Sequence, residues 1–143
     1  MKFKSIILIC TLSVPGLAHS NTQISAGTGY QHGSLLGAQI AFQSDANRYY
    51  VAAGLVGVAV GYERVIDSSE QHSLGFAVGK EELTSEDGFA VATYNYYFNG
   101  IAQPGWKLGF SLGARREDTA SFFGDSGDST TKTAISLDLA YKF

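Results

Sequence analysis

The chain has 143 residues and a formal net charge of −3, with 10 basic and 13 acidic residues. This length corresponds to one domain, and the acidic balance argues against nucleic acid as a partner. Glycine (17), tyrosine (8) and phenylalanine (9) are frequent while proline (2) is rare, and this composition favours an all-β fold with many turns.

The amino terminus has the pattern of a secretory signal peptide. Lys2 and Lys4 precede an apolar stretch at 6–14, and Ala18-His19-Ser20 has the form of a cleavage site after small residues. The sequence therefore predicts a signal peptide at 1–20 and one mature domain at 21–143. Cleavage would leave eight basic residues against 13 acidic ones.

The only cysteine, Cys10, lies inside the predicted signal peptide. The mature domain is therefore expected to have no disulfide, no thiolate nucleophile and no cysteine metal site.

The mature domain begins with two segments that alternate between apolar and small or polar residues, as strands with two unlike faces do. The first segment places Ile24, Ala26, Thr28 and Tyr30 on one predicted face. The second places Leu36, Ala38, Ile40 and Phe42 on one face. His32-Gly33-Ser34 between them is predicted to form an exposed turn, and 44–47 has turn composition.

Residues 48–66 are too long for one membrane strand. Nineteen residues would extend over about 60 Å at ~3.3 Å each, roughly twice the length that is needed. The sequence therefore predicts two strands separated by a turn at Gly54-Leu55-Val56-Gly57, although this turn is unusually apolar.

The next segments give three further strands. Leu74, Phe76 and Val78 alternate with small residues before an acidic loop at 82–87. The strand at 89–98 has apolar residues on both parities, so its faces cannot be assigned, and a mid-strand bulge is one explanation. After turn signals at 99–105, alternation is clear from Trp106 to Ala114.

The last segment, 131–143, alternates strictly and ends on an aromatic residue. Its apolar set is Thr133, Ile135, Leu137, Leu139, Tyr141 and Phe143. The opposite set contains small or charged residues, including Lys132, Asp138 and Lys142. This strand is expected to pair with the first strand, around 24–30, so that no edge remains open.

These segments predict an all-β fold: an eight-stranded antiparallel up-and-down transmembrane β-barrel. A secreted lipocalin-type barrel would alternate equally, so the distribution of charge must distinguish the two. The apolar parity carries no charge for at least four successive positions in five strands. The charges that share the parity of the glycines are Glu63, Glu81, Lys107, Arg115, Lys132, Asp138 and Lys142. Excluding charge from one face is what lipid contact requires.

Aromatic residues are expected to form a girdle at the membrane surface. The predicted members are Tyr94, Tyr96, Tyr97, Phe98, Trp106, Tyr141 and Phe143.

The terminal strand and the eight-strand pattern resemble the small outer-membrane proteins of the OmpA-domain and OmpX kind. The resemblance covers the mature chain and rests on pattern, and Asp138 stands where the usual C-terminal signal carries glycine. It implies an outer-membrane location, lipid and lipopolysaccharide as surroundings, and Leu139, Tyr141 and Phe143 as a signal for the barrel-assembly machinery. It implies no cofactor and no functional residue.

Six charged residues are predicted to face the lumen: Glu63, Glu81, Lys107, Arg115, Lys132 and Asp138. In a narrow lumen opposite charges are expected to pair, because unpaired buried charge is costly. This predicts a closed, polar-filled lumen and a structural or surface-interaction role. A narrow channel for small solutes or protons is the alternative.

His32-Gly33-Ser34 also matches the His-x-Ser arrangement of outer-membrane lipid A deacylases. A serine hydrolase needs the serine within hydrogen-bond reach of the histidine and a third group to orient it. The sequence does not supply that third group, so no catalytic residue is assigned, and a lipid-modifying enzyme remains an alternative. Too few histidines remain for a zinc site.

The polar connection before the last strand contains a candidate surface contact. Phe122 and Phe123 would anchor a partner, and Asp125 and Asp128 would add negative charge or weak Ca²⁺ binding. The partner itself is not indicated.

Overall fold

The computed structural model describes residues 21–81, 86–118 and 129–143, without the side chains of 86, 87, 118 and 129. The predicted signal peptide lies outside these ranges. Eight strands form one closed barrel, which confirms the predicted all-β architecture. The strands are β1 (Asn21–Gly29), β2 (Ser34–Ser44), β3 (Asn47–Gly54), β4 (Gly57–Val65), β5 (His72–Glu81), β6 (Glu86–Tyr97), β7 (Gly105–Asp118) and β8 (Ser129–Lys142). None of the described residues belongs to a helix that is long and apolar enough to cross a membrane.

Every strand pairs antiparallel with its neighbours in sequence, and β8 returns to β1. We call the end that carries Asn21 and Phe143 the terminal end, and the opposite end the loop end. Ala26 of β1 pairs directly with Tyr141 of β8. Following the paired residues from Ala26 the other way round the barrel, from β2 to β7, leads to a different residue of β8, Thr131. This offset of ten residues means that the strands are strongly tilted, as closure of a small barrel requires.

The apolar turn predicted at 54–57 is confirmed. β3 ends at Gly54, β4 begins at Gly57, and Ala53 pairs with Val58 across the turn. Leu55 at its tip is 67% exposed. The long segment 48–66 is therefore a tight hairpin rather than one strand.

The faces of β6, which the sequence did not reveal, are clear in the structure. Phe89 and Val91 point into the barrel and are buried, whereas Tyr94 points outward. No bulge interrupts the middle of β6, and its register shift lies between Glu86 and Gly88. Both parities contain apolar residues because the lumen itself is apolar near the loop end, where Phe89 packs on Tyr30 with ring centroids 4.6 Å apart.

The seam between β1 and β8 is shorter than predicted. Only Ser25, Ala26 and Gly27 pair with β8, and the Phe143 N–H donates to the Ile24 carbonyl at 2.9 Å. The expectation that β1 continues in the wall to residue 30 is wrong. β1 leaves the wall at Gly29. In the described structure, the part of β8 that lies between Asp138 and the loop end therefore has no strand partner on its β1 side.

Candidate functional site

The connection between β1 and β2 folds into the lumen, where it forms a plug. It is a single 3₁₀ turn, Tyr30–His32, followed by Gly33, and we call residues 30–33 the plug turn. Gln31 and His32 are fully buried and Tyr30 is 7% exposed. The sequence predicted an exposed turn here, which is wrong: polar side chains that usually mark a surface turn instead meet polar partners inside the barrel.

Glycines make room for the plug turn against the wall. Gly33 adopts the left-handed conformation with φ of +76°, and a Cβ there would lie 2.5 Å from both the Gly54 nitrogen and the Gly57 carbonyl oxygen. Gly37 and Gly54 face the same place, and any side chain on them would meet the backbone of His32. The backbone of the plug turn therefore approaches β2, β3 and β4 closely.

Glu63 is the centre of a buried charge cluster. Its carboxylate forms an ion pair with Arg48. It also accepts hydrogen bonds from Ser73 Oγ at 2.6 Å, Asn95 Nδ2 at 2.7 Å and Tyr97 OH at 2.7 Å. Both charged side chains are at most 1% exposed, so this pair is satisfied by protein groups in place of water.

Gln31 of the plug turn connects two further lumen charges, Lys107 and Asp138. Its Oε1 accepts from Lys107 Nζ at 3.1 Å, and its Nε2 donates to Asn95 Oδ1 at 2.9 Å. Its backbone N–H donates to Asp138 Oδ1 at 3.2 Å. Asp138 also accepts from Ser111 Oγ at 2.6 Å. The plug turn is thus bonded to charged or polar groups on three strands of the opposite wall.

Ile101, in the turn between β6 and β7, closes the terminal end and is fully buried. Its N–H donates to the Glu70 carbonyl at 2.8 Å, and its carbonyl accepts from Gln23 Nε2 at 3.1 Å and from Lys142 Nζ. The lumen is therefore filled from the plug turn down to this turn.

Asp67 organises the neighbouring turn between β4 and β5. The Ser69 hydroxyl donates to its carboxylate and holds its pKa below the ordinary value, with further donation from the backbone N–H of His72 at 2.8 Å and of Gln71 at 3.3 Å. A lowered pKa means that this contribution to stability is present above the ordinary pKa of an aspartate and is lost as the pH falls through the lowered value.

The six predicted lumen charges do not form one network. Glu63, Lys107 and Asp138 lie in the buried centre. Arg115 and Lys132 both pair with Glu117 at the loop end, where Lys132 is 54% exposed. The remaining acid, Glu81, is 7% exposed and accepts from the Ser34 hydroxyl.

Sequence reasoning missed several buried members of the site. Arg48, Gln31 and Tyr97 are each at most 2% exposed and bond directly to other lumen groups. Arg48 had a usable signal, because it alternates with Tyr49 and Val51 on the outward face. Gln31 had none, because its position depends on a turn that folds inward.

His32 and Ser34 do not bond to each other. The His32 Nε2 lies 3.3 Å from Ser25 Oγ, and Ser34 bonds to Glu81. Ser25 is 2% exposed and His32 is fully buried, so the Ser25–His32 pair is closed to any substrate. The His-x-Ser arrangement considered from sequence is therefore not assembled.

Where β1 leaves the wall, a small lateral gap opens between the lumen and the outside. It has a volume of about 190 Å³ and is lined by Gly29, Tyr30, Ser34, Glu81, Ile135 and Ser136. Of the plug turn, Tyr30 borders this gap.

The predicted girdle lies at the terminal end with one exception. Trp106, Tyr141 and Phe143 form a chain of edge-to-face contacts, each with centroids 5.3 Å apart. Leu139 is exposed beside them on the outward face of β8. Tyr97 was wrongly assigned to the girdle; it points into the lumen and is 1% exposed.

Some predicted features cannot be placed. Phe122, Phe123, Asp125 and Asp128 lie outside the described residues. Within the described ranges, no three His, Cys, Asp or Glu side chains are grouped so as to hold a metal ion. Comparison of the chain with protein-family models, with curated proteins and with solved structures finds no match.

Proposed function

We propose that this protein is an integral barrel of the bacterial outer membrane with a closed lumen and a structural or surface-interaction role. It is proposed to act without catalysis and without a cofactor. Its surroundings are outer-membrane lipid, including lipopolysaccharide, and it reaches them through the barrel-assembly machinery. The loop end then faces the outside of the cell and the terminal end faces the periplasm, which follows the general rule of short periplasmic turns.

The observation that carries the membrane location is the inverted distribution of polarity. Among the described residues, 24 large hydrophobic side chains are exposed, whereas 15 polar or charged residues and only 12 hydrophobic ones are buried. A barrel in water would bury the first group and expose the second. An exposed apolar surface of this extent needs a partner, and a lipid bilayer surrounds a barrel on all sides.

The height of the apolar band agrees with this location. Ten residues separate Trp106 from Arg116 on the outward face of β7. They extend over about 33 Å of strand at ~3.3 Å per residue. At a tilt of about 40° this is roughly 25 Å along the barrel axis, which equals the usual height of a lipid-facing band.

The filled lumen supports a closed barrel over a channel. The plug turn occupies the centre, Ile101 occupies the terminal end, and their backbone and side-chain groups are bonded to the wall. The lateral gap lies beside the plug turn, and Tyr30 is among the residues that line it.

Cell fractionation and heat-dependent gel mobility test the proposed location. We expect the protein in the outer-membrane fraction, with a folded form that migrates differently from the boiled form. Recovery as a soluble periplasmic protein would end the proposal.

Removal of Phe143 separates the two roles proposed for the end of β8. Phe143 is 68% exposed, and the transfer of its side chain to lipid contributes only about 2 kcal/mol. If the assembly machinery reads this residue, outer-membrane levels in cells should fall strongly while refolding into detergent still succeeds. Phe98 is a matched control, because it is also an outward aromatic at the terminal end and is 52% exposed. Phe98→Ala should leave assembly intact, and normal levels of the Phe143-deleted protein would contradict the signal.

A further inference from the structure

The strands carry three positive charges on the outward face of the part whose side chains are described. Among strand residues with described side chains, Arg64, Lys80 and Arg116 point outward, whereas Glu63, Glu81, Glu117 and Asp138 face the lumen. The lumen also holds basic residues, including Arg48 and Lys107. The position of the outward cations along the strands, rather than their sign alone, therefore carries the inference.

Two of these cations lie together at the loop end of the apolar band. Gly79 pairs with Phe89, so Lys80 lies beside Gly88, and Gly88 pairs with Arg116. The two cations are therefore two strands apart, with about 10 Å between their Cα atoms. The position between them has no side chain.

A groove of about 700 Å³ follows from this arrangement. Lys80 and Arg116 form its sides, Gly88 forms its centre, and the small paired residues Ala90 and Ala114 lie below it toward the band. We call this the cationic groove. Among the described residues, the one atom within 4 Å of a Cβ added at Gly88 would be the Gly79 carbonyl oxygen, at 3.2 Å.

We propose that the cationic groove binds the phosphate group of an outer-leaflet lipid, with an acyl chain lying over Ala90 and Ala114. Lysine and arginine are the side chains that bind phosphate most strongly, and Lys80 and Arg116 both line the groove around Gly88. Arg116 lies roughly 25 Å along the axis from Trp106, at the level where lipid headgroups meet the band. This inference rests on the proposed membrane location and names the lipid partner of that surface.

The test is a lipid titration of the refolded full mature chain in detergent micelles, followed by native mass spectrometry. The probes are a synthetic lipid A that carries phosphomonoesters and the same lipid without phosphate. We expect the phosphorylated lipid to bind preferentially, and the double variant Lys80→Gln/Arg116→Gln to lower its affinity roughly tenfold or more. Inorganic phosphate at the same concentration should not displace it, because the chains contribute to binding.

Two further variants control for charge and for folding. Arg64→Gln/Lys132→Gln removes the same charge elsewhere and should bind like the unaltered protein. Gly88→Leu fills the groove without changing charge and should also weaken binding, which keeps the test informative if the double variant does not fold.

The inference would be overturned if the unaltered protein bound both lipids with equal affinity. It would also be overturned if the groove variants bound the phosphorylated lipid as well as the unaltered protein does. Displacement by inorganic phosphate would also overturn the choice of a lipid. The titration in micelles is independent of the location in cells, so the two proposals can fail separately.

Discussion

Glu63→Ala should destabilise the barrel by about 3–5 kcal/mol, the usual cost of removing one partner of a buried ion pair. The loss leaves the Arg48 guanidinium buried at 1% exposure without its counter-charge. It also removes the acceptor of three donors, on Ser73, Asn95 and Tyr97. Urea unfolding of the refolded protein in lipid bilayers measures the change.

Two control variants show whether the effect arises from the unpaired charge. Arg48→Met/Glu63→Leu removes both charges and should recover most of the lost stability, because a buried pair is often replaceable by apolar residues. Glu117→Gln alters the pair with Arg115 at the loop end, where water competes, and should change stability little. A Glu63→Ala protein as stable as the parent would show that the cluster is not buried as described.

Gly33→Val should displace the plug turn and open the lumen. A β-branched residue in the left-handed conformation costs about 1–2 kcal/mol by itself, and its Cβ would meet the backbone of Gly54 and Gly57 at 2.5 Å. Those atoms cannot move without breaking the wall, so the plug turn must shift. In planar bilayers the parent should show no steady openings, and the variant should show them together with lower stability.

Gly100 supplies the matched control for this substitution. Its φ is +88°, so valine is disfavoured there for the same conformational reason, but the nearest atom to an added Cβ is 3.7 Å away. Gly100→Val should therefore reduce stability modestly and leave the lumen closed. Steady conductance of the parent protein would contradict a closed lumen. A Gly33→Val barrel that shows no conductance and is as stable as the Gly100→Val barrel would contradict the role of Gly33 in placing the plug turn.

The wall of the barrel was predictable from sequence because its outward and lumen-facing residues differ in polarity and alternate along each strand. β7 and β8 show this most clearly: Trp106, Leu108 and Leu137 are all exposed, as alternation predicts, and Lys107 is buried. Closure against β1 was also predictable in outline, since an open strand edge leaves backbone N–H and C=O groups unpaired.

The contents of the lumen were not predictable because they depend on contacts between distant segments. Gln31 is buried only because the chain turns inward at Gly29 and finds Asp138, 107 positions away. Phe89 could not be assigned to a face from the sequence, and in the structure it packs on Tyr30 of the plug turn. Period-two reasoning assumes a polar interior, and it fails where part of the interior is apolar.

Leu137→Arg tests most directly whether the outward face of the barrel contacts lipid. Leu137 is 71% exposed and pairs with Phe110 of β7. Phe110 lies four residues from Trp106 and six from Arg116, which places Leu137 near the middle of the apolar band. Urea unfolding in lipid bilayers should show a loss of about 2–4 kcal/mol for Leu137→Arg and only about 0–1 kcal/mol for Thr133→Arg, nearer the membrane surface. If both changes stay within about 0.5 kcal/mol of the parent, as exposed sites in water do, the outward face does not lie in a membrane.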